Sequence, residues 1–262
     1  MENYKLGFIG GGALAESILR GICGKTFAPE NIFVSECRAE RCTELAERFG
    51  ICATVEANFL DKVSLLIVAV KPKDAAETFN TLSRKIPPST IISYTVAGLK
   101  LSAVEKFFPV NKIVRLMPNV AVSVGESMTA YALNSKAADV GDVIKNFWST
   151  LGRAVEVDEN LMDAVTGLSG SGPAYAFLAI DALADGGVAA GLPRAMAIEL
   201  AAQTMLGAAK MVLAGDHPDV LRDKVTSPAG TTIEGVRVLE RGGVRSSFIE
   251  AVIAATEKSK SL

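Results

Sequence analysis

Residues 5–15 read Lys5-Leu6-Gly7-Phe8-Ile9-Gly10-Gly11-Gly12-Ala13-Leu14-Ala15. An apolar run enters the pattern G-x-G-x-x-A, and behind it Leu14, Ile18, Leu19 and Ile22 recur at helical spacing. Strand, glycine turn and helix in that order form the fingerprint of a dinucleotide-binding unit. Gly10 permits the tight turn, and Gly12 lets backbone approach a pyrophosphate. Ala15 lets helix and strand pack closely, while the helix start supplies unpaired N–H groups and a positive dipole end. The competing reading is a strand–helix turn that binds nothing; the flanking periodicity favours the dinucleotide.

Outward from this stretch, short β-type runs alternate with helical ones. Leu6–Gly10, Asn31–Ser35, Ser64–Val70, Thr90–Thr95, Lys112–Leu116, Met128–Ala132 and Ala154–Val157 read as strands. Ala13–Gly24, Arg38–Phe49, Asp74–Leu82 and Asp139–Ser149 read as helices, with Gly50 as a stop and Ser102-Ala103-Val104-Glu105 as a capping box. Ser64–Val70 is continuously apolar, as a parallel strand covered on both faces should be. The alternation predicts an α/β fold with a doubly wound, mostly parallel sheet. From about Leu161 the strand signals stop. Gly172–Ala190, Pro193–Ala214, Pro218–Lys224, Thr231–Arg241 and Val244–Lys258 read as helices, with Thr231 and Glu234 as a second capping box. Ala-rich faces permit close helix packing, and so many helices in so short a segment point to a partner subunit.

Composition bounds the rest. The chain has 262 residues, 49% of them hydrophobic, and a formal net charge of −2, with no basic run of the kind that binds nucleic acid. No apolar stretch reads as long enough to span a membrane without interruption, and no signal peptide is visible. Cys23, Cys37, Cys42 and Cys52 lack metal-ligand spacing, so they read as reduced, mostly buried thiols of a cytoplasmic protein, and no metal site is expected.

The second strand should end near Glu36, where the adenine ribose is read. An acidic group there favours NAD, while a nearby cation such as Arg38 accommodates the 2′-phosphate of NADP, so the two signals oppose each other. The third strand ends in Ala69-Val70-Lys71-Pro72, at the sheet edge where ligands bind, and Lys71 is the positive side chain placed there. Asn58 could face the adenosine or cap a helix. Two later loops, Leu168–Tyr175 and Val225–Thr232, present small hydroxyls and backbone N–H groups at helix starts, which suits a carboxylate without any arginine. The lone histidine, His217, reads as a surface turn residue, and Ala176-Phe177-Leu178-Ala179 supplies no base. Hydride delivery to an already electrophilic C=N carbon needs none.

On these residues the chain resembles the pyrroline-5-carboxylate reductases over essentially its whole length. The resemblance is carried by Ile9–Ala15, Ala69–Pro72, Ala97-Gly98, Met117-Pro118-Asn119, Ser169–Tyr175, Asp181–Gly187 through Leu192-Pro193, and Thr226–Glu234. It implies a Rossmann domain over 1–160 and an all-helical dimerisation and substrate domain over 161–262, in a homodimer or a larger assembly of dimers. It implies reduction of 1-pyrroline-5-carboxylate, a cyclic imino acid, to L-proline with NADPH or NADH, the last step of proline biosynthesis. By position it puts Ile9, Gly10, Gly11, Gly12, Ala13, Leu14, Glu36, Asn58, Ala69, Val70, Lys71 and Pro72 at the cofactor. Val96, Ala97, Gly98, Met117 and Asn119 fall on the nicotinamide side. Ser171, Ser227, Gly230, Thr231 and Thr232 fall at the substrate, with Thr232 as the catalytic hydrogen-bonding partner of the ring nitrogen. Glu36 departs from the small polar residue of many members, and Ala229 from a common glycine.

Overall fold

The computed structural model describes residues 4–261. β1 (Leu6–Ile9), α1 (Ala13–Ile22), β2 (Ile32–Ser35), α2 (Ala39–Phe49) and β3 (Cys52–Thr54) build the first half of a doubly wound sheet. β4 (Leu65–Val68), α3 (Pro72–Ser83), β5 (Ile91–Tyr94), α4 (Leu101–Val104) and β6 (Ile113–Met117) build the second. β7 (Ser127–Leu133), α5 (Gly141–Ser149) and β8 (Gly152–Glu156) extend it. The strand order is β3-β2-β1-β4-β5-β6-β7-β8, parallel except where β7 runs against β6. The chain therefore reverses its winding between β1 and β4, which places the carboxyl ends of both strands at the switch point where such sheets bind ligands.

The sequence explains the placement. Leu65–Val68 is apolar at every position and buried throughout because it pairs with β1 on one side and β5 on the other, with both faces covered. One core layer gathers Ile18, Leu19 and Ile22 of α1 with Phe147 and Trp148 of α5, the two rings meeting edge to face. The opposite layer packs Phe79 of α3 edge to face against Tyr94 and Phe108. Arg115 on β6 is buried between Glu159, at 3.2 Å, and Asp163, at 3.8 Å, so its charge is paired rather than stranded.

After β8 come α6 (Met162–Val165) and a π-helical turn over Thr166–Gly170. Then follow α7 (Gly172–Ala189), α8 (Arg194–Leu213), α9 (Pro218–Val225), α10 (Thr231–Arg241) and α11 (Val244–Lys260). Two compact units result. The first runs to Ser171 and takes in the chain again from Ala254; the second is Gly172–Ile253. The division thus falls later than the change of sequence texture at 160/161, because Met162 is fully buried in the first unit's core. In the second unit, Gly187 lets α8 approach α7 closely: a Cβ there would lie 3.2 Å from that of Ala197. Its buried core is small, centred on Ala184, Ala197 and Ala201, and large apolar side chains such as Phe177, Leu178, Leu200 and Met211 are exposed.

Several local expectations are corrected. β3 has no counterpart in the sequence reading, since three residues are too few for a periodic signal. Neither capping box forms. Lys100 and Gly230 are the N-caps of α4 and α10, Thr231 is already helical, and Glu234 pairs with Arg237 instead of reaching back. His217 does cap: its Nδ1 accepts from the Asp219 N–H. Cys37 and Cys52 are exposed, not buried. By length and composition α8 is apolar enough to cross a membrane, contrary to the expectation that no run is, because alanines and large aliphatics dilute its few charges.

Candidate cofactor and substrate sites

The glycine turn joins β1 to α1, and each glycine is there for a different reason. Gly10 has φ 97°, and a Cβ on it would sit 2.6 Å from the Ala69 carbonyl oxygen, so no other residue fits. Gly11 packs on α2 and on Glu36, where a Cβ would meet Leu45 at 2.8 Å. Gly12, the N-cap of α1, has an ordinary extended φ of −71° and nothing within 4 Å of a would-be Cβ. Neither backbone strain nor packing in the chain requires glycine at that position. What a side chain would fill is the open space before the α1 N-terminus, which is the fit expected of a pyrophosphate cradle. Ala15, fully buried, allows the close helix–strand packing read from the sequence.

Glu36 follows β2 and turns its carboxylate back toward this loop. Oε2 accepts from the Gly11 N–H at 3.0 Å, and Oε1 accepts from the Arg38 backbone N–H at 3.2 Å and from Arg38 Nε at 2.9 Å. Burial raises its pKa, but the bonds from Arg38 and from the Gly11 N–H outweigh that and hold it below the ordinary carboxylate range. The two opposing signals of the sequence are therefore one ion pair. Arg38 engages Glu36 through Nε while its side chain stays mostly exposed, and the buried carboxylate also takes up the Gly11 N–H.

Around the rest of the carboxyl edge, Ala69 and Val70 follow β4, the Ala69 N–H donating to the Ile9 carbonyl. Lys71 is the exposed N-cap of α3 and Pro72 its first residue, where the absent N–H costs nothing. Asn58, beyond β3, is exposed and donates to Glu56, in a turn where no helix is available for it to cap. Beyond β5, Val96 is buried, and Ala97 and Gly98 form a turn with Gly98 at φ 74°. The Tyr94 hydroxyl secures that turn by donating to Leu99 at 3.0 Å. Asn119, beyond β6, caps the next turn through the Ala121 N–H and donates from Nδ2 to the Ser169 carbonyl at 3.1 Å. Gly170 lies against Met117, to whose sulfur a Cβ would be 3.4 Å away. The nicotinamide-side candidates Met117 and Asn119 are thereby brought to the turn that ends at Ser171.

The other substrate candidates lie in the second unit. Thr226 is the C-cap of α9, and Ser227, Pro228, Ala229 and Gly230 turn the chain into α10. Gly230 is closely packed here: a Cβ would lie 3.1 Å from the Ser227 carbonyl oxygen and would force the Ser227 hydroxyl to rotate away. Ala229 holds φ 54°, the left-handed conformation that a glycine adopts without strain. Thr231 and Thr232 are the first two residues of α10, exposed, with neither hydroxyl used as the cap.

Two contacts escaped the sequence reading, one of them in the loop it had singled out. Ser169 contributes its carbonyl, which no side-chain pattern reveals. Arg41 donates from Nε to the Gly11 carbonyl at 3.0 Å and pairs with Glu16 and Glu44. The signal for Arg41 was only that α1 and α2 each carry charges of both signs, Glu16 and Arg20 on the one, Arg41 and Glu44 among those on the other.

A glycine turn of this build at the switch point of a parallel sheet, with a helical unit following, defines a Rossmann-type oxidoreductase. The family model described as "NADP oxidoreductase coenzyme F420-dependent" matches residues 5–97, and "Pyrroline-5-carboxylate reductase dimerisation" matches residues 159–262. Pyrroline-5-carboxylate reductase of Synechocystis sp. is 47% identical, over 99% of this chain and 98% of its own, and that of Arabidopsis thaliana 42%, over 100% and 96%. The Plasmodium falciparum enzyme, solved with NADP bound, superposes with a TM-score of 0.89 at 31% identity over 100% of this chain and 98% of that one. The chain belongs to the pyrroline-5-carboxylate reductase family.

Proposed function

We propose that this chain reduces 1-pyrroline-5-carboxylate to L-proline with NADPH or NADH, the final step of proline biosynthesis. The observation that carries the reading is the coexistence, in a member of this family, of the open Gly12 cradle with the hydroxyl-bearing loops at Ser171 and at Ser227–Thr232. The cofactor supplies a hydride. Ile9–Leu14 at the α1 N-terminus would take its pyrophosphate, Glu36 and Asn58 would lie toward the adenosine, and Ala69–Pro72 would flank it. The backbone of Val96–Gly98, with Met117 and Asn119, would line the nicotinamide.

In this reading the substrate carboxylate is bound by N–H groups of Gly230, Thr231 and Thr232 at the positive end of α10, with the Ser227 hydroxyl as a further donor. The Thr232 hydroxyl accepts from the protonated ring nitrogen. The hydride forms a new C–H bond at the imine carbon while the C=N π pair passes to nitrogen, and the product is the amine. The carbon of a protonated imine is already electrophilic, so the chain's part is positioning and charge stabilisation rather than removal of a proton from carbon or oxygen.

A second copy of the chain covering the apolar helices of the second unit is part of the proposal. A dimer accounts for exposed Phe177 and Leu178 and for the membrane-like composition of α8. The cytoplasm is the proposed location, which the free thiols at Cys23, Cys37, Cys42 and Cys52 suit. The experiment is a cofactor-oxidation assay with the purified protein. Oxidation of NADPH or NADH that depends on the cyclic imine, with proline as the product, is expected. Cofactor binding without turnover at any imine concentration would reassign the chain to a regulatory role.

A further inference from the structure

Three consecutive glycines make a loop with large conformational freedom, and a loop that must be ordered by its ligand binds weakly. In this chain Gly11 is held on both sides. Its N–H donates to Glu36 Oε2 at 3.0 Å, and its carbonyl accepts from Arg41 Nε at 3.0 Å. Arg41 is mostly buried and is fixed in its turn by Glu16 on α1 and Glu44 on α2. Glu16 also accepts from Arg20 and Arg48, so the guanidinium of Arg41 is locked by a network rather than by one exposed partner.

The consequence follows from peptide geometry. In a planar trans peptide the carbonyl of one residue and the N–H of the next point in opposite directions. Holding the Gly11 carbonyl toward Arg41 turns the Gly12 N–H the other way, away from α2. The Gly12 N–H has no partner within the described chain, and Gly12 faces open space before α1.

We infer that Arg41 is a positioning residue of the cofactor site: by holding the Gly11 carbonyl it aims the Gly12 N–H at the cofactor pyrophosphate before binding. Its substrate class is any nucleoside diphosphate derivative that reaches this loop, and it touches none of the reacting atoms. The inference rests on the reading of Ile9–Leu14 as the pyrophosphate site.

The test measures binding of ADP-ribose, NADH and NADPH by calorimetry, alongside thermal melting. Glu16→Gln is compared with the double variant Glu16→Gln/Arg41→Met, which removes the Gly11 donor from a background where Glu16 no longer needs a cation. The double variant is expected to bind ADP-ribose about ten- to a hundredfold more weakly than Glu16→Gln, the scale of one charge-assisted hydrogen bond. Turnover at saturating cofactor should stay close to that of Glu16→Gln, so that KM moves and kcat does not. Arg48→Met removes a positive charge from the same network without touching Gly11, and its ADP-ribose affinity should match wild type. Equal affinity in the two Glu16 variants, or an equal loss in Arg48→Met, overturns the inference. Gly12→Val tests the underlying reading separately. Its wild-type binding of ADP-ribose would show that the loop does not take the pyrophosphate at all.

Discussion

Thr232 stands at the second position of α10, one residue inside the helix, with its cap supplied by Gly230. A hydroxyl there is free for a ligand. Thr232→Ala is expected to lower kcat/KM for the imine by about ten- to a hundredfold, the worth of a hydrogen bond to a charged group of roughly 1.5–3 kcal/mol. Melting temperature and cofactor affinity should hold, and Thr232→Ser should recover much of the loss. A variant that melts early yet turns over normally would make the hydroxyl structural. Glu36 poses the matching question for the cofactor. Its carboxylate neutralises Arg38, so Glu36→Ser should release Arg38 toward a 2′-phosphate and raise the ratio of kcat/KM for NADPH over NADH by about tenfold. An unchanged ratio would show that the pair does not face the ribose.

At the scale of elements, α1 and α2 are joined by charge as well as by apolar packing. Hydrogen bonds from Arg41 and Arg20 draw the Glu16 pKa from 4.5 down to about 2. A carboxylate whose pKa is lower in the folded chain contributes stability that is complete above the unfolded value and fades as pH falls through the folded one. The melting temperature of wild type should therefore exceed that of Glu16→Gln by a constant margin above about pH 5, and the margin should close between pH 4.5 and about 2. A margin that does not change with pH would assign the difference to packing. These contacts also show what a sequence discloses about its elements. Periodicity found β4, α1 and the bounds of α10, because an apolar face or a glycine stop is a local property. The use of Arg41, the diversion of Glu36 to Gly11 and the failure of both capping boxes depend on which residues meet across the fold, and chain order does not encode that directly. Gly10 and Ala15 were readable in their separate roles, because a positive φ and a close helix–strand approach are requirements on backbone.

For the whole molecule, the second unit buries too little to stand alone. Phe177 is 62% and Leu178 71% exposed on α7, while the unit's buried core consists of alanines. Light scattering should find a dimer or a larger even-numbered assembly, and Leu178→Glu should shift it toward monomer with loss of activity, since a charge in a desolvated interface costs several kcal/mol. A monodisperse, active wild-type monomer at assay concentration would rule out the dimer.

The path of the chain through its two units bears on how the protein is made. Ser259 is buried in the first unit, with its hydroxyl donating to Asp163 at 2.7 Å, although every residue of the second unit separates them in sequence. A chain emerging from the ribosome N-terminus first can form β1 to α6 early. It cannot close the contact at Asp163, beside Arg115, until all of α7 to α10 has been synthesised. The nucleotide-binding unit must then wait, nearly finished, with one site open for α11. Synthesis of α11, rather than folding of the sheet, sets the moment at which that unit is sealed.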